Sequence, residues 1–276
     1  MKEFNSNNYV IEVQGSMRNV SAKDWDALLE AQTEPTPFMR HAYLSAMEES
    51  GSASAKSGWK LQLVTLRHAV PPQAGQLAGA AVLYIKPHSY GEYVFDWAWA
   101  DAYQRHGLNY YPKAVSAVPF TPVPGSRLLA DSGKTQSALL SAMVELAQNE
   151  DWSSLHLLFL SNDDLQVTET AGWLSRHTVQ FHWHNAAYDD FEDFLRALNQ
   201  EKRKKIKQER RKVAEAGVIF KAFEGTQIQS ADWDFFYQCY AQTYFEHGNA
   251  PYLNRDFFQR MQDTMPDNWV LFIAEK

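Results

Sequence analysis

Residues 96–129, DWAWADAYQRHGLNYYPKAVSAVPFTPVPGSRLL, constrain this chain more than any other stretch. Aromatic and polar side chains (Trp97, Trp99, Tyr103, His106, Tyr110, Tyr111) run into Lys113 and a strand-like AVSAVPF. A rigid TPVPGSR loop and the start of a helix follow. Pro119, Pro122 and Pro124 fix φ along the loop, and Gly125 lets its backbone approach another group closely. Apolar strand, Pro/Gly loop and helix start suit an anionic or phosphate-bearing ligand, because N–H groups at a helix N-terminus have no partner within the helix. Arg127 adds a planar fork for phosphate or carboxylate, and Gly133 and Lys134 open the helix. Residues 132–135 (SGKT) look like the end of a nucleotide P-loop, but Leu128 stands where that motif requires glycine.

Strand and helix signals alternate around this segment. IEVQGSM near the N-terminus reads as a strand, and Ser21 caps a helix whose Trp25, Leu28 and Leu29 share one face. LQLVTLRHA and QLAGAAVLYIKPH read as antiparallel strands joined by a polar link over 69–76. A strand at 114–120, a helix at 135–149, a buried strand at 155–160, a helix near 163–173 and the strand VQFHWH complete a unit ending near Asn185. A basic helix closed by Gly217, the strand VIFKAF, an aromatic helix, a helix capped by Asn254 and the strand WVLFIAEK follow, the last with no evident partner. The expected fold class is mixed α/β (α+β), with mostly antiparallel sheets flanked by helices. Residues 1–185 form one domain; 186–276, with the basic helix 199–216, form a shorter, truncated second one.

Several classes are excluded or disfavoured. No apolar run approaches the roughly 18–20 residues of a membrane span, and MKEFNSNNYV lacks the basic and apolar blocks of a secretory leader. A bacterial-type cytoplasmic protein is expected. The one cysteine, Cys239, excludes an internal disulfide and reads as a small buried side chain. His182 and His184 share a strand face without a third ligand, so no metal is expected. No Ser-His-Asp or Cys-His arrangement stands out. Residues 201–212 carry eight basic and two acidic side chains in a chain of net charge −7, which points to a local anionic partner rather than to DNA coating. Lys204, Lys205, Arg210 and Arg211 are the expected contacts.

The order of strand, Pro/Gly loop, helix, strand, helix and strand around the loop resembles the core of the Gcn5-related N-acetyltransferase (GNAT) fold. DWAWADAYQRHGLNYYPK followed by VPFTPVPGSRLL is similar, more specifically, to the FemAB-like peptidoglycan biosynthesis/recognition proteins. RALNQEKRKKIKQERRKVAEAGV and HGNAPYLNRDFF extend that similarity from near residue 15 to the end. The resemblance implies tandem GNAT-like domains with a cleft between them. It implies an N-acyltransferase moving an acyl or aminoacyl group from acyl-CoA or aminoacyl-tRNA to an amine, on a small molecule or a peptidoglycan precursor. The donor's pyrophosphate would lie against Pro119, Thr121, Gly125, Arg127, Gly133 and Lys134, although the loop lacks the Q/R-x-x-G-x-G/A pattern of ordinary acetyl-CoA binders. Trp97, Trp99, Tyr103, Lys113 and Tyr252 would shape the acceptor cleft, and Asp96 or Asp101 would act as general base. The competing expectation is a non-catalytic recognition module that binds an anionic cell-wall precursor or RNA through the basic helix.

Overall fold

The computed structural model describes the backbone at residues 2–6 and 8–276 and the side chains from Asn8 onward. Strands β1 (Lys2–Ser6), β2 (Tyr9–Gln14), β3 (Lys60–His68) and β4 (Leu77–Lys86) form an antiparallel meander. β4 is a small-residue and aliphatic run because both of its faces are covered. Ala80, Val82 and Tyr84 face a core that includes α1 (Ala22–Glu30) and α2 (His41–Glu49). Ala81 and Leu83 face α4 (Gly133–Asn149), whose Leu139, Leu140, Met143 and Leu146 repeat at helical spacing. Ser21 caps α1 through Asp24 N–H and Ser132 caps α4 through Thr135 N–H.

The strand beyond β4 is made of two pieces. β5 (Lys113–Ser116) pairs with the C-terminal end of β4, and the short β6 (Leu129–Ala130) pairs with its N-terminal end. Residues 117–128 are an excursion between them. The expected strand 114–120 therefore stops at Ser116: Pro119 has no N–H to give, and Phe120 takes a left-handed backbone (φ 59°). β7 (Leu155–Leu157) runs parallel to β5, and Gly125 at the tip of the excursion pairs with Leu160 beyond it.

The aromatic segment holds a helix not foreseen in the sequence, α3 (Trp97–Arg105). α5 (Asn162–Thr170) follows β7. VQFHWH is not a strand: its backbone joins no ladder, and Val179, Phe181 and Trp183 are exposed. Alternation alone could not supply the neighbouring strand it needs. Beyond it come α6 (Phe191–Ala197) and α7 (Gln200–Glu215), the latter ended by Gly217 in a left-handed conformation (φ 77°). β8 (Ile219–Glu224) pairs with β9 (Val270–Glu275), so the last strand does have a partner. Between them lie α8 (Ser230–Glu246), where Cys239 is exposed rather than buried, and α9 (Arg255–Thr264), capped by Asn254. Trp233, Phe257, Phe258, Met261 and Ile273 from this region share one core cluster with Met17, Trp25, Leu44 and Trp59.

Candidate functional site

The β4–β5 register places Lys86 directly opposite Lys113, and both side chains are buried. Two facing ammonium groups repel, and burial removes the water that would screen them. The connection 87–112 supplies the counter-charge. Glu92 and Asp96, both buried, turn inward, and Lys113 Nζ donates to Glu92 Oε2 at 2.8 Å and to Asp96 Oδ2. Lys86 Nζ donates to the Tyr90 carbonyl (3.1 Å) and lies 3.6 Å from the centroid of the Trp59 ring. Tyr110 donates its hydroxyl proton to Asp96 Oδ2 (2.7 Å), and the Tyr110 hydroxyl oxygen stands 3.4 Å from His156 Nε2. Ser154 Oγ meets that nitrogen at 2.8 Å. A line of polar contacts thus runs from Glu92 through Lys113, Asp96 and Tyr110 to His156 on β7.

One ammonium serving two carboxylates drives their proton affinities apart. Burial dominates at Glu92 and raises its pKa against the pull of Lys113. At Asp96 burial works the same way, but bonds from Lys113 and Tyr110 outweigh it and hold the carboxyl below its usual range. Burial lowers Lys86, and so does Lys113 across the ladder. Burial, followed by Lys113, pushes His156 down to about 4, so its ring is neutral at physiological pH. Among the described residues Glu92 Oε1 and Asp96 Oδ1 are buried without a hydrogen-bond partner. His156 also lines a cavity of about 310 Å³ with Val94, Leu158, Trp173 and Arg176.

The Pro/Gly loop is built differently from what the sequence suggests. Gly125 N–H donates to Phe159 O (3.0 Å), Leu128 N–H to Asp164 Oδ2 (3.3 Å), and Arg127 N–H to the same carboxylate oxygen (2.5 Å). The Arg127 guanidinium is 1% exposed and donates to the carbonyls of Val123 (2.6 Å), Leu158 (3.0 Å) and Ser126 (3.4 Å). Arg127 therefore ties the excursion to the segment just after β7 from the inside and presents no fork to a ligand. A Cβ on Gly125 would come within 2.9 Å of Thr36 Cγ2, so this glycine serves a close approach of protein to protein. Carboxylates also occupy the two helix starts nearby: Asp131 precedes the α4 cap and bonds Thr135 Oγ1 and His68, and Asp164 lies in the first turn of α5. A pyrophosphate cradle fits residues 119–134 poorly as they are placed: Phe120, Thr121, Val123, Gly125, Arg127, Leu128 and Asp131 direct their N–H groups to partners within the protein, and negative charge already sits at both helix ends.

The remaining expected residues scatter. Thr121 Oγ1 donates to Pro119 O (3.1 Å). Gly133 and Lys134 are exposed at the Gly79 end of β4, while Asp96 and Lys113 lie at its Lys86 end, roughly 24 Å away at the rise of an extended strand. Asp101 is exposed on α3 and pairs with Arg105 at 2.9 Å. Trp97 and Trp99 project from α3 at 55% and 45% exposure, and the Tyr103 hydroxyl donates to Ser153 O (3.3 Å). Tyr252 stacks on Phe120 at 4.7 Å, which brings the C-terminal region against the loop. On α7, Lys205 and Arg211 meet Glu209 (3.9 Å) and Glu215 (3.5 Å), Arg210 lies 4.3 Å from the Phe191 ring centroid, and Lys204 is exposed. Of the expected catalytic and acceptor-cleft residues, only Asp96 and Lys113 meet through their side chains. Glu92, Lys86 and His156 went unrecognised. The one available signal was a lysine at the inner end of each of two apolar strands, with two carboxylates in the connection between them.

Among the described residues no helix is long and apolar enough to cross a membrane, and no group of three or more His, Cys, Asp or Glu is arranged to hold a metal. A family model for FemAB-like proteins, described as peptidoglycan biosynthesis/recognition, matches residues 16–276. No curated protein matches the chain significantly. Similar solved structures include a ribosomal-protein-alanine N-acetyltransferase from Brucella melitensis biovar Abortus 2308, at 15% identity and a TM-score of 0.35, over 63% of this chain and 99% of that one. A Trypanosoma brucei acetyltransferase aligns at 16% identity and a TM-score of 0.32, again over 63% of this chain and 99% of its own.

Proposed function

Because the chain belongs to the FemAB-like family of peptidoglycan biosynthesis/recognition proteins, we propose that it transfers an acyl or aminoacyl group to an amine of a cell-wall precursor. The observation that carries this reading is a family match that spans the aromatic segment, its buried charges and the basic helix together. In this reading the amine gives its ammonium proton to solvent as it enters the cavity beside His156, so that a neutral nitrogen is the nucleophile. The amine nitrogen attacks the acyl carbon, a C–N bond forms, and the bond from that carbon to the donor's leaving oxygen breaks. Nitrogen becomes strongly acidic once it is bonded to the acyl carbon, so the weakly basic ring of His156 suffices to take its proton and pass it to the leaving oxygen. Tyr110, Lys113 and Glu92 act as positioning residues that hold Asp96 and His156 in register.

The donor we assign is an aminoacyl-tRNA. The Arg127 guanidinium and most of the loop's N–H groups bond within the protein, whereas α7 carries its cations on an exposed surface suited to a phosphate backbone. A division near residue 185, with the basic helix in the second unit, and a cytoplasmic location belong to the same proposal.

Two titrations of the full chain test the donor. Labelled tRNA followed by anisotropy should bind with an affinity that falls steeply with salt, and acetyl-CoA should give no heat in calorimetry. Saturable acetyl-CoA binding would overturn the donor assignment. The exposed charge of α7 also supports a second reading, recognition without catalysis. His156→Gln separates the two: an enzyme loses transfer and keeps tRNA binding, whereas a wild-type protein inactive with charged tRNA and every precursor amine tried is a recognition module.

A further inference from the structure

The cavity beside His156 has two walls. Residues 155–160 supply one, and residues 173–178 supply the other. Gly172 (φ 80°) ends α5, and Trp173 N–H bonds back to Thr168 O at 3.0 Å, which turns the chain onto that second wall. His156, Arg176 and His177 are among the lining residues, and no Asp, Glu or Lys is. Arg176 is exposed, and its one hydrogen bond among the described residues runs from Nη2 to the Phe95 carbonyl at 3.3 Å. No carboxylate among the described residues pairs with it; Glu169, the nearest one in the chain, accepts from Ser175 Oγ at 2.9 Å. The charge of Arg176 reaches His156: burial first and Lys113 next lower that ring's pKa, and Arg176 adds to them. A cation entering this cavity meets only basic side chains, whereas an anion meets a guanidinium with N–H groups to spare. Val94, Leu158, Leu165 and Trp173 supply apolar lining.

We propose that this cavity takes an acceptor whose reacting amine and a carboxylate share one carbon, the zwitterionic end of an amino acid, with the carboxylate held by Arg176 and the nitrogen facing His156. The inference deepens the transfer reading and rests on it for the fate of the amine. A planar guanidinium matches a carboxylate in a two-point contact, and charge-assisted bonds are about twice as strong as neutral ones. The cavity's volume of about 310 Å³ holds about ten non-hydrogen atoms at roughly 30 Å³ each, enough for an amino acid and part of its side chain. The apolar lining receives that aliphatic part. With its carboxylate neutralised by Arg176 the amine sheds its proton more readily, which leaves the nitrogen free to attack.

Norvaline, pentanoate and butylamine separate the groups: the first carries both, and the others carry the carboxylate or the amine alone. In the full chain labelled at histidine, norvaline and pentanoate should shift the His156 ring signals and saturate in the millimolar range; butylamine should not. His156→Gln identifies those signals among the nine histidines, and contacts to the Tyr110 ring identify them should that variant not fold. Bound pentanoate should also raise the His156 titration midpoint above about 4, because an anion favours the charged ring. Arg176→Gln, a change at an exposed side chain, should keep the fold and weaken pentanoate about tenfold or more. With charged tRNA the wild type should acylate norvaline about tenfold better than butylamine, and Arg176→Gln should lose that preference. His156 signals unmoved by pentanoate, pentanoate bound equally by Arg176→Gln, or norvaline and butylamine acylated alike would each overturn the proposal. Pentanoate binding that depends on Arg176, with no amine acylated, would overturn the transfer reading while the carboxylate site stands.

Discussion

Lys86 and Lys113 stand directly opposite each other on neighbouring antiparallel strands, both buried, and the segment that connects the strands carries the two carboxylates that make this arrangement stable. Connection and ladder are thereby interdependent. Without Glu92 and Asp96 the strand ends repel, and without the lysines the aromatic segment loses its anchor. Burial, with Lys113 adding to it, sets the state of His156 beyond Tyr110.

Asp96 and Glu92 should respond unequally to loss of charge. Asp96 accepts from both Lys113 and Tyr110, so Asp96→Asn should cost about 3–5 kcal/mol, the scale of breaking a buried pair. Glu92, already pushed toward its protonated form, should tolerate Gln at on the order of 1 kcal/mol. Urea unfolding of the two variants checks the order; equal losses would contradict it.

Stability should depend on pH through His156. Burial and Lys113 hold its folded pKa at about 4, below the ordinary 6.5. Between those values the unfolded chain binds a proton that the folded chain refuses. Stability is therefore intact above about 6.5 and falls as the pH drops toward 4, by up to about 3 kcal/mol. His156→Gln should flatten this part of the profile; an unchanged slope in denaturant titrations would show that the ring is not held neutral.

The loop should prove structural. Arg127→Met leaves the carbonyls of Val123, Ser126 and Leu158 without their donor, which should cost about 3 kcal/mol or more. Gly125→Ala meets Thr36 at 2.9 Å with φ at 155° and should cost about 1–3 kcal/mol. Thermal midpoints that stay at the wild-type value in both variants would return Arg127 to the role of an exposed ligand fork.

Replacing Lys204, Lys205, Arg210 and Arg211 with Gln should change stability by no more than about 0.5 kcal/mol, because α7 buries none of its residues. The slope of log affinity for tRNA against log salt should become shallower by roughly three. A slope equal to the wild type's would place the polyanion elsewhere.

Local signals in the chain were legible where the physics is local. Ser21 and Asn254 cap the helices they precede, Gly217 ends α7, and the apolar runs of β3 and β4 pair across their polar link. VQFHWH misled because alternation records only that one face is apolar and says nothing of a neighbouring strand. α3 was hidden because its aromatic residues, mostly facing solvent, follow no inward stripe.

By itself the sequence determined most of the elements, the mixed fold class, the family resemblance and the exposed basic helix, since propensity, capping and charge act over a few residues. Tertiary structure alone decided what the polar groups do. It turned Arg127 inward to carbonyls, brought Glu92 and Asp96 beneath a pair of facing lysines and set His156 at the end of that line. Burial and partner choice depend on contacts between residues far apart in the chain, and these are fixed only when the sheet and its excursions close around them.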